Sequence, residues 1–173
     1  MAAVLSVPVG VVGAYLVDEV IKVVLAEPRP CRVFTTLPTV SPCPALTDWS
    51  LPSNHATIAA AAATALLLIA LRHPTRPAAA APVVSRPMVA IALAGAVVTA
   101  AARVWVGVHY PHDVLAGLVV GALITATTAR PAARLLTPAV ERLRTGPLAV
   151  LLSAPGQPHP GRPQQPEHRA GRP

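Results

Sequence analysis

Lys22 and Arg29 lie seven residues apart. That is nearly two helical turns, so both point to one side if the helix reaches about Glu27. In Pro52-Ser53-Asn54-His55 a capping serine precedes the first turn of an apolar run. Such a helix start offers unpaired N–H groups and the positive end of the dipole, which suit a phosphate. In Arg103-x5-His109-x3-Asp113 the carboxylate follows the second histidine by one turn. It can accept a hydrogen bond from one imidazole nitrogen and leave the other free to attack. An ionised Arg103 at the end of an apolar helix is a functional residue by default.

Each stretch also has a plainer reading. Lys22 can snorkel at a helix end and pair with Asp18 at i−4. Arg29-Pro30 is an ordinary loop pair, His55 an interfacial residue of a capped helix, and Arg103 a snorkelling end charge. A zinc set of His55, His109, His112 and Asp113 is chemically conceivable. Lys22, Arg29 and Arg103 would repel a dication and instead favour an anion. No metal and no cofactor is therefore expected, and His112 is expected to face water or headgroups.

The elements that must position these residues are four apolar segments: 1–26, about 54–71, about 88–106 and about 111–128. Each is close to the roughly 20 residues that a helix needs to cross a bilayer. Asp18, Glu19 and Lys22 fall in the last turns of the first segment, and Pro28 and Pro30 stop it. Residues 27–53 read as a proline-rich loop, and Pro111 suits the first turn of the fourth helix. Ala102 and Gly117-x3-Gly121 allow close helix approach. The expected fold is an all-α integral membrane bundle of about four transmembrane helices. Its domain would span 1–130, followed by an amphipathic juxtamembrane segment over 131–153 and a disordered tail over 154–173.

Composition agrees. Of the 173 residues 53% are hydrophobic and 12% charged, with mean hydropathy +0.56; soluble domains carry about 25% charge. So few charges could not cover a water-soluble domain. The net charge of +7 comes with only 3% aromatics, so a nucleic-acid partner is not expected. Three Arg in 72–87 and seven from Arg130 onward, against two in 27–53, predict both termini in the cytoplasm and the 27–53 and 107–111 loops outside. Trp49, Trp105 and Tyr110 then fall at the outer boundary, together with Lys22, Arg29, His55, Arg103, His109 and Asp113. No cleaved signal peptide is expected. Cys31 and Cys43 both lie in the outer loop, where they either pair or remain two buried thiols.

In chain order, Lys22-x6-Arg29-Pro30, Pro52-Ser53-Asn54-His55 and Ala102-Arg103-x5-His109-x3-Asp113 resemble the three motifs of the type 2 phosphatidic acid phosphatase (PAP2) superfamily. Its soluble relatives include vanadium haloperoxidases. The resemblance covers residues 22–113, with the fourth helix completing the core. It implies a metal-independent lipid phosphatase, acting on a lipid phosphate or polyprenyl diphosphate at the extracytoplasmic face. His109 would be the nucleophile that forms a phosphohistidine, Asp113 would orient it, and His55 would protonate the leaving oxygen and then activate water. Lys22, Arg29, Arg103, Ser53 and Asn54 would hold the phosphoryl group. Asn54 replaces the motif glycine, Ala102 replaces a serine, and Glu27 stands where many relatives carry Arg. Many membrane relatives have more chain before the lysine motif, which here lies on the first helix. Alternatives are a non-catalytic protein binding anionic lipids and a vanadate-dependent peroxidase. The expected partner is a membrane lipid, with homo-oligomerisation open.

Overall fold

A computed structural model describes residues 2–36, 39–72 and 84–145. The expected tail over 154–173, residues 146–153 and most of the 72–87 loop lie outside the described residues. The elements are α1 (Ala2–Leu25), α2 (Pro30–Val33), α3 (Asn54–Arg72), α4 (Arg86–Trp105) and α5 (Pro111–Thr145). No strand occurs among the described residues. α3, α4 and α5 are long and apolar enough to cross a membrane, over Asn54–Leu71, Arg86–Trp105 and Pro111–Leu143. α1 has 24 residues, with Asp18, Glu19 and Lys22 in its second half.

The bundle places small residues inside and large apolar residues outside. Ala14, Ala56, Ala60, Ala61, Ala63 and Ala65 are buried, whereas Leu16, Val20, Ile91, Val97, Val119 and Leu123 are exposed. Water would penalise that arrangement and lipid would not. Small side chains let the helix backbones approach, and backbone approach is what drives packing between apolar helices. α5 is the central element and packs against α1, α3 and α4. It meets α3 through Gly117 and Gly121. A Cβ at Gly117 would lie 2.7 Å from the Ser53 carbonyl oxygen, and one at Gly121 would overlap the Thr57 carbonyl oxygen. Thr57 also donates from its hydroxyl to the buried Asp18 Oδ1, so α1 and α5 share one anchoring residue on α3.

Three local features differ from the expectations. α1 stops at Leu25, because Ala26 takes a left-handed conformation with φ 47° and its N–H bonds back to the Lys22 carbonyl at 2.9 Å. A left-handed residue just past a helix end is a common stop. Arg29 therefore lies beyond the helix, and chain reversal rather than helical register brings it to Lys22. The 27–53 loop contains one helical turn, α2, started by Pro30. The fourth helix does not end near Thr128. α5 continues for 35 residues through Pro131 and Pro138, with Ala129, Ala132 and Val140 buried. Prolines remove single hydrogen bonds, and apolar helices packed on neighbours tolerate that loss.

Candidate active site

The C-terminal ends of α1 and α4 meet the N-terminal ends of α3 and α5 at one end of the bundle. There Lys22, Arg29, Asp48, Asn54, His55, Arg103 and His109 line a cavity of about 230 Å³. Lys22 and Arg29 are buried, at 3% and 4% exposure, an arrangement that demands anionic or strongly accepting partners. Lys22 does not take up the Asp18 pairing. Its Nζ lies 3.6 Å from Asp48 Oδ1.

Four of the five Arg29 N–H groups are engaged. Its Nε donates to the Asp48 carbonyl at 2.9 Å and its Nη2 to Asp48 Oδ1 at 2.7 Å. Its Nη1 donates to the Val108 carbonyl at 3.0 Å and to His109 Nε2 at 2.9 Å. Arginine has no acceptor, so Nε2 must accept and the His109 proton resides on Nδ1. That nitrogen lies 3.3 Å from Asp113 Oδ2. The tautomer fixed in this way leaves Nε2, the nitrogen on the cationic side, with its lone pair. Arg103 differs from Arg29. Its Nε is buried and has no hydrogen-bond partner among the described residues.

Asp113 is fully buried and does not line the cavity; it stands behind His109. Its Oδ2 accepts from the Tyr110 N–H at 2.7 Å and from the Ser50 hydroxyl. The Asp113 carbonyl accepts from the Ser53 N–H at 3.0 Å. This backbone bond ties the start of α3, and hence His55, to the start of α5, and hence His109. Asn54 donates from Nδ2 to Glu19 Oε1 at 2.7 Å, which fixes α3 to α1.

Ser53 holds the N-cap position, and its carbonyl accepts the Thr57 N–H at 2.9 Å. Its hydroxyl is buried without a partner among the described residues, and the residue is not part of the cavity lining. Of the eight residues expected from sequence, six therefore line one cavity, Asp113 supports one of them, and Ser53 lies behind the wall. Glu27 faces away from the cations; its Oε1 is 2.9 Å from His112 Nε2. His112 is exposed and stacks on Tyr110, with ring centroids 5.2 Å apart. Glu27, His112 and Asp113 form a group of potential metal ligands different from the one conceived above.

Ser50 and Asp48 were missed by sequence reasoning. Ser50 lies two residues before Pro52, and nothing in that spacing marks its hydroxyl as a partner of Asp113. Asp48 is an acidic residue in a proline-rich loop, where solvated carboxylates are ordinary. Burial alone would raise the Asp48 carboxyl. The Arg29 guanidinium bonded to it and the Lys22 ammonium beside it outweigh burial and hold it below its usual range. Cys31 and Cys43 are joined by a disulfide, which closes the loop segment whose Val40, Ser41 and Pro42, with Pro44 just beyond it, roof the cavity.

Residues 3–134 match the PAP2 superfamily. The chain belongs to the PAP2 superfamily. Two relatives extend this finding. An undecaprenyl-diphosphatase of Sulfolobus acidocaldarius is 34% identical over 121 residues, 70% of this chain and 51% of that protein. The undecaprenyl-diphosphatase BcrC of Bacillus subtilis is 34% identical over 113 residues, 65% of this chain and 49% of that protein. The PAP2 chain described here thus spans about half the length of either relative. No solved structure matches it.

Proposed function

We propose that this PAP2 protein is a membrane phosphatase that hydrolyses a polyprenyl diphosphate or a related lipid phosphate through a phosphohistidine. One observation carries the reading. Three cationic side chains surround a cavity lined by two imidazoles, and one of those cations, Arg103, has a buried Nε with no hydrogen-bond partner among the described residues. The names of the two relatives favour a polyprenyl diphosphate as substrate.

In this mechanism His109 Nε2 attacks phosphorus while Asp113 keeps the proton on Nδ1 and stabilises the developing imidazolium. The bond from that phosphorus to its bridging oxygen breaks, and His55 protonates that oxygen, which leaves with the lipid alcohol or lipid monophosphate. His55 then takes a proton from water, which attacks the phosphohistidine and releases phosphate. Charge builds on the equatorial phosphoryl oxygens, where Lys22, Arg29 and Arg103 stabilise it. The distribution of arginines favours a site on the extracytoplasmic side with both termini inside. A disulfide in the roofing loop is what an oxidising compartment permits.

The test is phosphate release by purified protein in detergent with EDTA, across a polyprenyl diphosphate, a polyprenyl monophosphate, phosphatidic acid and phosphatidylglycerol phosphate. Release from at least one lipid is expected. His109→Ala should abolish it, and His55→Ala should lower kcat roughly 10²–10⁴-fold, the usual worth of acid–base assistance. Strict dependence on an added divalent metal, or wild-type rates in either variant, would reject the reading.

A further inference from the structure

The seat that a phosphoryl oxygen needs on Arg29 is held by the protein's own carboxylate. Asp48 Oδ1 takes Nη2 at 2.7 Å and lies 3.6 Å from the Lys22 ammonium. Three further Arg29 N–H groups go to the Asp48 and Val108 carbonyls and to His109 Nε2. A ligand that binds Arg29 through two N–H groups must replace at least one of these partners, and attack by His109 requires Nε2 to be uncovered. Asp48 is the partner best placed to leave. Its side chain is 45% exposed, against 5% for Arg29, so water can take up the released carboxylate.

We propose that Asp48 is an internal counter-anion that sets the charge selectivity of the cation site, a role that rests on the phosphatase reading above. A carboxylate carries one negative charge. Another singly charged group, such as the phosphodiester of an ordinary anionic phospholipid, gains nothing by replacing it on the same two cations. A terminal phosphate carries up to two charges, and its Coulomb attraction to those cations is correspondingly larger. It also matches the guanidinium fork. Terminal phosphates therefore displace Asp48, whereas the diester headgroups that crowd a membrane surface do not.

The opposite role, Asp48 as a fixed brace for Arg29, predicts effects of opposite sign. The probes are inorganic phosphate, as a competitive inhibitor and in titration calorimetry, and phosphatidylglycerol added to the assay micelles. Asp48→Asn should bind inorganic phosphate at least fivefold more tightly than wild type. It should also become inhibited by phosphatidylglycerol at concentrations that leave wild type untouched. Unchanged or weaker phosphate binding, or unchanged resistance to the diester, overturns the proposal. A measurement on wild type guards against a misfolded variant: saturating phosphate should speed amide hydrogen exchange over residues 45–50. Unchanged or slowed exchange there counts against displacement. If wild type hydrolyses no lipid and binds no phosphate, the phosphatase reading itself falls and takes this inference with it. If wild type does both and only the Asp48 effects fail, the counter-anion role alone is lost.

Discussion

His109 is controlled from both sides of its ring. Arg29 can only donate to Nε2, and Asp113 can only accept from Nδ1 while it is ionised. Asp113 is in turn oriented by the Tyr110 N–H and the Ser50 hydroxyl. Hydrogen bonds to charged groups are worth about 1.5–3 kcal/mol. Ser50→Ala should accordingly lower kcat roughly 10–100-fold and leave KM little changed, because Ser50 does not line the cavity; steady-state kinetics separate the two. Asp48 gives a pH signature. Its folded value lies below the ordinary one of about 3.9, so its ion pair contributes fully above that value. The contribution is lost as pH falls through the lower folded value. Thermal unfolding midpoints of wild type should therefore drop below about pH 4 more steeply than those of Asp48→Asn, and the two curves should run parallel above about pH 5.

At the scale of elements, the contact between α3 and α5 sets the distance between the two histidines. Gly117 and Gly121 bring α5 against the Ser53 and Thr57 carbonyls, directly below the Ser53 N–H to Asp113 carbonyl bond. Gly121→Ala should push the helices apart. Overpacking of this kind costs about 1–3 kcal/mol, which should appear as a lower thermal midpoint. Activity should fall as well, although no cavity residue changes. Helix positions were legible from apolar run lengths to within about two residues. The path of the chain just past α1 and the course of α5 were not. Ala26 carries no sequence mark of its left-handed conformation, and the rule that proline ends a helix gives way where packing holds both sides of the proline.

Across the whole molecule, the large apolar side chains on the outer face and the alanines within describe a bundle whose solvent is lipid. The candidate site residues gather at one end, which the proposed orientation puts outside. An impermeant thiol reagent, applied to intact cells after impermeant reduction of the Cys31–Cys43 disulfide, should label the protein. Labelling only after the cells are opened would reverse the orientation.

The sequence alone determined that the chain is a helical membrane protein and marked three stretches as the candidates for its chemistry. Hydropathy and residue type are local properties, and they survive in a linear reading. It also placed all three stretches at one end, since crossing the membrane alternates direction with each apolar run. Only the tertiary structure decided who partners whom: Lys22 with Asp48 rather than Asp18, Arg29 with His109, Ser50 with Asp113, and Ser53 behind the wall rather than in it. Those choices depend on the path of a loop with no periodicity. There a turn of backbone moves a side chain by several ångströms, and the electrostatics of a buried cation then select whichever acceptor has come within reach.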